Sequence, residues 1–112
     1  MPLSIINGPV IAAGESLSEA IDCSAGTIVR ITMPAGWSKA SLTFEISSDG
    51  QGYNQLVSAS GSEVSVKVIP GAAVIVPTDV ANASAFIKFR SGRKQAPVPQ
   101  PVEREFAVAL RT

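Results

Sequence analysis

The sequence contains no histidine and only one cysteine, Cys23. Without histidine the usual general base is missing, and no mixed His/Cys set can hold zinc or a related ion. A lone cysteine excludes an intrachain disulfide. In its alternating stretch Cys23 reads as a small buried apolar residue, against the other readings of a reactive thiol or an intermolecular bridge. No sign of charge dominates: Lys and Arg total 9, as do Asp and Glu, so net charge selects neither nucleic acid nor anionic lipid as a partner. No run approaches the ~20 apolar residues that cross a bilayer, and no charged segment precedes an apolar core at the start, so neither a membrane span nor a secretion signal is expected. Aromatic residues are scarce at 5%, although hydrophobic residues reach 46%. That balance, carried by Ala, Val and Ile with many Ser and Gly, suits β-sheets better than a helical bundle.

The 112 residues are read as one domain over 1–112, large enough to bury roughly 60–70% of the unfolded surface without a disulfide or metal. The clearest element is the alternation Leu42-Thr43-Phe44-Glu45-Ile46-Ser47, which points Leu42, Phe44 and Ile46 one way and Ser41, Thr43, Glu45 and Ser47 toward solvent. Ser48-Asp49-Gly50 ends it as a turn. Similar patterns predict strands in Ser16–Cys23, where a helix-like reading stays open, and in Thr27–Met33 with Val29, Ile31 and Met33 on one face. Further strands are expected over 54–58, over 63–69 with Val64, Val66 and Val68 inward, and over 73–76. Two more fall over 85–90 with Ile87 and Phe89 inward and over 104–111 with Phe106, Val108 and Leu110 inward. Residues 78–84 allow one helical turn capped by Thr78 or Asp79. About eight mainly antiparallel strands at intervals of about 8–12 residues, each closed by Gly or Pro, give an all-β fold, a single β-sandwich or jelly roll.

Two stretches stand outside this scheme. Residues 1–9, with Leu3, Ile5 and Ile6, read either as a first edge strand or as an arm laid on a neighbour. Residues 92–101 carry Pro97, Pro99 and Pro101 at alternate positions, which predicts an extended excursion rather than a hairpin.

Chemistry-bearing groups are sparse. The carboxylates fall mostly in turns or on the polar phase of strands, and their spacing selects no catalytic pair, so no enzyme activity and no cofactor are expected. No glycine-rich loop leads into a helix with a lysine. The turn around Asp49 has oxygen donors but lacks the carboxylates that calcium wants. Lys88, Arg90, Arg93 and Lys94 form the one basic cluster. It is read as a solvated or ion-paired rim involving Arg104 and Glu105, with phosphate contact or a proline strap against another protein as the other options. Trp37, in a loop ahead of the Leu42 strand, is either a lid on the core or an exposed stacking platform. With Tyr53, Asp49, Gln51, Asn54 and Gln55 it forms a permissive carbohydrate-binding set.

The runs Ile31-Thr32-Met33-Pro34-Ala35-Gly36-Trp37, Ala40-Ser41-Leu42-Thr43-Phe44, Ser48-Asp49-Gly50, Phe89-Arg90-Ser91-Gly92 and Ala96-Pro97-Val98-Pro99-Gln100 together resemble small proteins from the structural regions of tailed bacteriophages, prophages and related gene-transfer particles. The likeness covers most of the chain. It implies a virion component: a capsid decoration, head-spike, neck or tail-associated subunit in a ring or trimer, with other virion proteins as partners. Leu3, Ile5, Ile6, Arg93, Lys94, Pro97, Pro99 and Pro101 are then the expected partner contacts. The Ser-Asp-Gly hairpin is also similar to that of discoidin-like and carbohydrate-binding sandwiches, which implies the alternative of a host-surface glycan bound through Trp37, Asp49, Gln51, Tyr53 and Asn54.

Overall fold

The computed structural model describes residues 3–112; Met1 and Pro2 of the expected arm lie outside them. The chain forms β1 (Leu3–Ile11), β2 (Ile21–Asp22), β3 (Thr27–Thr32), β4 (Leu42–Ser47), β5 (Asn54–Gln55), β6 (Ser65–Val66), β7 (Ala73–Ile75), α1 (Thr78–Ala83), β8 (Phe86–Arg93), β9 (Ala96–Pro97) and β10 (Arg104–Arg111). One sheet has the order β1-β10-β3-β7. The other runs β2-β8-β4-β5, with β6 also on β4 and β9 on β8.

This order has a simple origin. Strands of the first half pair antiparallel with strands of the second half taken in reverse: β1 with β10, β2 with β8, β3 with β7, and β4 with β5 and β6. A long antiparallel ribbon wrapped around itself then brings β10 onto β3 and β8 onto β4, which is the jelly roll among the all-β sandwiches.

The inner faces carry the expected alternation. Phe106, Val108 and Leu110 from β10 meet Leu42 and Phe44 from β4 and Ile87 and Phe89 from β8 in one core cluster. A chain of edge-to-face rings crosses it, Trp37 on Phe106 at 5.5 Å, Phe106 on Phe89 at 5.2 Å and Phe89 on Phe44 at 5.6 Å. Each such pair adds roughly 0.5–1.5 kcal/mol beyond the area it buries. Four of the few aromatic rings therefore tie the two sheets together.

Three expectations fail for identifiable reasons. On β3 the register slips between Arg30 and Ile28, leaving Val29 without a partner in the β10 ladder, so Ile28 rather than Val29 turns inward beside Ile31. A bulge reverses the side-chain phase, and alternation alone cannot show it. On β4, Thr43 and Ser47 are buried rather than wetted. Thr43 Oγ1 donates to the Gly92 carbonyl at 2.6 Å, and Ser47 Oγ accepts from the Gly50 amide at 2.8 Å. Within residues 92–101, the first part, 92–97, forms the hairpin that the prolines argued against, Gly92 pairing with Pro97 and Arg93 with Ala96, while 98–101 join no strand.

Beyond that hairpin, the Val98 amide donates to the Ser91 carbonyl and the Gln100 amide to the Glu15 carbonyl, both at 2.9 Å. The helix at 78–83 is present, but its N-cap is Pro77 with no side-chain cap bond. Ser16–Cys23 contributes only the short β2 and a bridge from Leu17 to Arg90.

Candidate functional site

Residues 3–9 are not an arm. They belong to β1, an edge strand paired with β10 from Leu3 to Ile11 with one irregularity between Asn7 and Val10. Ile6 lies opposite Val108 and packs against the core, so its side chain is spent internally. Leu3 and Ile5, on the other phase, are 44% and 54% exposed.

Those two residues open onto the outer face of the β1-β10-β3-β7 sheet. Because Phe106, Val108 and Leu110 face inward, Glu105, Ala107, Ala109 and Arg111 of β10 face outward. Register places Ile5, Ala109, Arg30 and Ile75 in one row across all four strands, and Asn7, Ala107, Thr32 and Ala73 in another. Ile75 is 80% exposed. β10 thus presents Ala107 and the nearly covered Ala109 at the centre of this face, with Ile5 and Ile75 at its edges, the exposed Arg30 between Ala109 and Ile75, and a carboxylate at one end of β10 and a guanidinium at the other. Glu105 and Arg111 are six residues apart on that strand, roughly 20 Å at the usual rise per residue.

The free edge of β1 has little to prevent pairing. Sheet edges are commonly blunted by charge, proline or bulges. Here the irregularity at Gly8-Pro9 guards only the second half, and Leu3-Ser4-Ile5-Ile6-Asn7 carries no charge. Sequence reading named Leu3 and Ile5 but missed Ile75, Ala107, Ala109, Glu105 and Arg111. The signal for the β10 residues was present in the alternation Glu-Phe-Ala-Val-Ala-Leu-Arg, read only for its inward phase.

The basic cluster is divided. Arg90 is buried, ion-paired to Glu45 and standing 3.7 Å from Glu63. Arg93 Nε lies 3.4 Å from Glu63, and the Lys94 amide donates to the same carboxylate at 3.0 Å. The Lys88 ammonium stands over the Tyr53 ring at 4.4 Å. The carboxylates are Glu45 and Glu63, not Glu105, because β4 and the bridge at Val57–Glu63 bring them beside β8. Pro97 is exposed at the end of the hairpin's return strand, and Pro99 and Pro101 are exposed beyond it.

The carbohydrate set lacks its tryptophan platform. Trp37 is 4% exposed, its indole N–H donates to the Ala40 carbonyl at 3.1 Å and its ring packs on Phe106. It is the lid, and its face is unavailable for stacking on a sugar. The Asp49 carboxylate accepts from the amides of Gln51 at 2.9 Å and Gly52 at 3.2 Å, bonds that hold it below the usual carboxylate range. Gln51 and Asn54 are exposed, and Tyr53 is half-buried beneath Lys88.

A groove of about 360 Å³ between α1 and the β5–β6 connection is lined by Leu56, Val57, Val64, Pro77 and Val80, with Asp79 at its rim. Cys23 is buried, and its desolvation pushes the thiol up to about 11. Among the described residues no three His, Cys, Asp or Glu side chains converge as a metal site, and no helix is long and apolar enough to cross a membrane. Comparison with protein-family models, curated proteins and solved structures gives no match.

Proposed function

We propose that this protein is a non-enzymatic structural subunit of a tailed-bacteriophage particle that works through protein–protein contacts, first with copies of itself. The observation that carries the reading is the outer face of the β1-β10-β3-β7 sheet. It exposes Leu3, Ile5 and Ile75 beside the small residues of β10, with the exposed Arg30 between Ala109 and Ile75, and these aliphatic side chains are ones that a lone soluble domain has reason to cover. It is also self-complementary. A two-fold axis through the Ala107–Ala109 region sets Glu105 of one copy against Arg111 of the next, and Arg111 against Glu105, as an isologous contact requires. Small central residues let two sheets approach to the ~10 Å separation of packed β-layers.

The particle assignment draws on the resemblance in residues 31–50 and 89–100. The jelly roll is an architecture shared by viral capsid proteins, lectins and cupins, and it supports the assignment by analogy alone. The test is physical association with virions. Antibody to this protein should label purified particles from a host carrying its gene, and Ile5→Lys together with Ile75→Glu should abolish labelling while the variant stays folded in solution. Particles that form and infect normally without the protein, and never contain it, would overturn the reading.

A further inference from the structure

The described residues bury two arginines to a similar degree, but they treat them differently. Arg90 has Glu45 and Glu63 beside it. Arg104, 9% exposed at the start of β10, has no carboxylate within 4.0 Å among the described residues, its sequence neighbours Glu103 and Glu105 being exposed and turned elsewhere. Its Nε donates to Gln100 Oε1 at 2.9 Å, and Nη2 donates to Ser38 Oγ at 3.3 Å. Nη1 makes no hydrogen bond with the protein, and since no fully buried side-chain polar atom lacks a partner, Nη1 is the part that reaches the surface. A desolvated guanidinium without a counter-charge is costly, and an anion is what offsets it.

The surroundings fit such an anion. Gln100 is fully buried and clamped: its Oε1 also accepts the Ser38 amide at 3.1 Å, and its Nε2 donates to the Ser38 carbonyl at 3.2 Å and to Ser91 Oγ at 2.9 Å. The guanidinium is therefore held by a fixed partner rather than left to swing. Ser38 Oγ accepts from Arg104, so its own proton remains free to donate. Gly36 faces Nη1 across the Pro34–Ser38 loop, where a Cβ would stand 2.7 Å from that nitrogen; any larger residue would cover it. Lys39, which follows Ser38 in the chain, is exposed.

We propose that Arg104, Ser38 and Gly36 form a binding site for a carboxylate group, with the Nη1 edge and the Ser38 hydroxyl as donors. A carboxylate is favoured over a tetrahedral oxyanion because the guanidinium edge and one hydroxyl supply two donors, the number that the two oxygens of a carboxylate take. The group is either a free small carboxylate or an acidic side chain of another protein, and the site stands whether or not the particle reading is right.

The test is an NMR titration of the whole chain, following the Arg104 side-chain Nε–H and the Ser38 amide. The titrants are sodium acetate, a blocked glutamate-containing peptide, sodium phosphate and sodium chloride. Acetate or the peptide should give a saturable shift that chloride does not give. Arg104→Lys and Gly36→Ala should each weaken it by about tenfold or more, the loss expected for one charge-assisted bond. Tighter binding of the peptide than of acetate assigns the site to a protein partner, and equal binding assigns it to a free carboxylate. Shifts that are linear in every salt, saturation by phosphate but not acetate, or unchanged affinity in folded Gly36→Ala protein would each overturn the proposal. If both variants unfold, the four titrations of the unmodified protein decide it.

Discussion

Arg90 of β8 stands across the ladder from Thr43 of β4 and sends its guanidinium diagonally to Glu45, two residues along the same strand. Nη1 of the same group lies 3.7 Å from Glu63 and donates to Thr43 Oγ1 at 3.4 Å. This polar cluster closes what the sequence presents as the wet face of the central strand. It explains why Thr43 is buried on the side opposite Phe44.

Removing Arg90 leaves two carboxylates facing each other with little water. Arg90→Ala should cost about 3–5 kcal/mol, the usual result of breaking a buried pair from one side. Arg93→Ala removes a side chain that is 58% exposed and should cost about 0–1 kcal/mol. Urea unfolding curves with matched slopes measure both. Equal costs would make the Arg90 contacts ordinary surface pairs.

Trp37 is a core residue reached from a loop. Its fluorescence should be blue-shifted and poorly quenched by acrylamide in the native protein, and Trp37→Ala should destabilise by about 3–5 kcal/mol through the cavity it leaves against Phe106. A solvent-like spectrum with a near-neutral substitution would restore the stacking-platform reading.

The Cys23 thiol titrates at about 11, pushed up first by burial and then by Asp22. An unfolded cysteine titrates at ~8.5. The folded value is the higher one, so this group's contribution to stability is fully present below the unfolded value and is lost as pH climbs from there through the folded one. Native protein at pH 8 should not react with a thiol reagent such as Ellman's until denaturant is added. Rapid reaction without denaturant would place Cys23 at the surface.

Gly92 closes the 92–97 hairpin with φ of +86°, and a Cβ there would stand 2.8 Å from both the Ala96 carbonyl oxygen and the Val98 amide nitrogen. Gly92→Ala should lose about 1–2 kcal/mol for the left-handed backbone alone, and more for a clash with main chain that cannot rotate away. Thermal unfolding of the variant reads the sum. An unchanged midpoint would mean that the hairpin is not formed.

The sandwich was legible because most strands follow one rule, alternate burial, and end at Gly or Pro. Leu42, Phe44, Ile87, Phe89, Phe106, Val108 and Leu110 all lie where that rule puts them. It fails where burial depends on a distant strand. Nothing local to Val29 announces the bulge that turns Ile28 inward. Nothing local to Gln100 announces its bonds to Ser38, 62 residues away in sequence. The proline run misled because Pro97 and Pro99 limit only their own backbone, whereas Gly92 and the Ser91 carbonyl supply the pairing. Leu3 and Ile5 were visible as apolar residues near the start, but their joining with Ile75 follows from β1, β10, β3 and β7 lying side by side, which is a property of the wrapped ribbon.

The claim that most needs testing is that two copies meet through the outer face of this sheet. Sedimentation velocity across a concentration series should give a species of twice the chain mass. Ile5→Lys should convert it to a monomer, and Arg111→Glu should do the same until it is combined with Glu105→Arg, which restores the pair. A protein that stays monomeric at every concentration, or a dimer indifferent to all of these substitutions, would contradict the account.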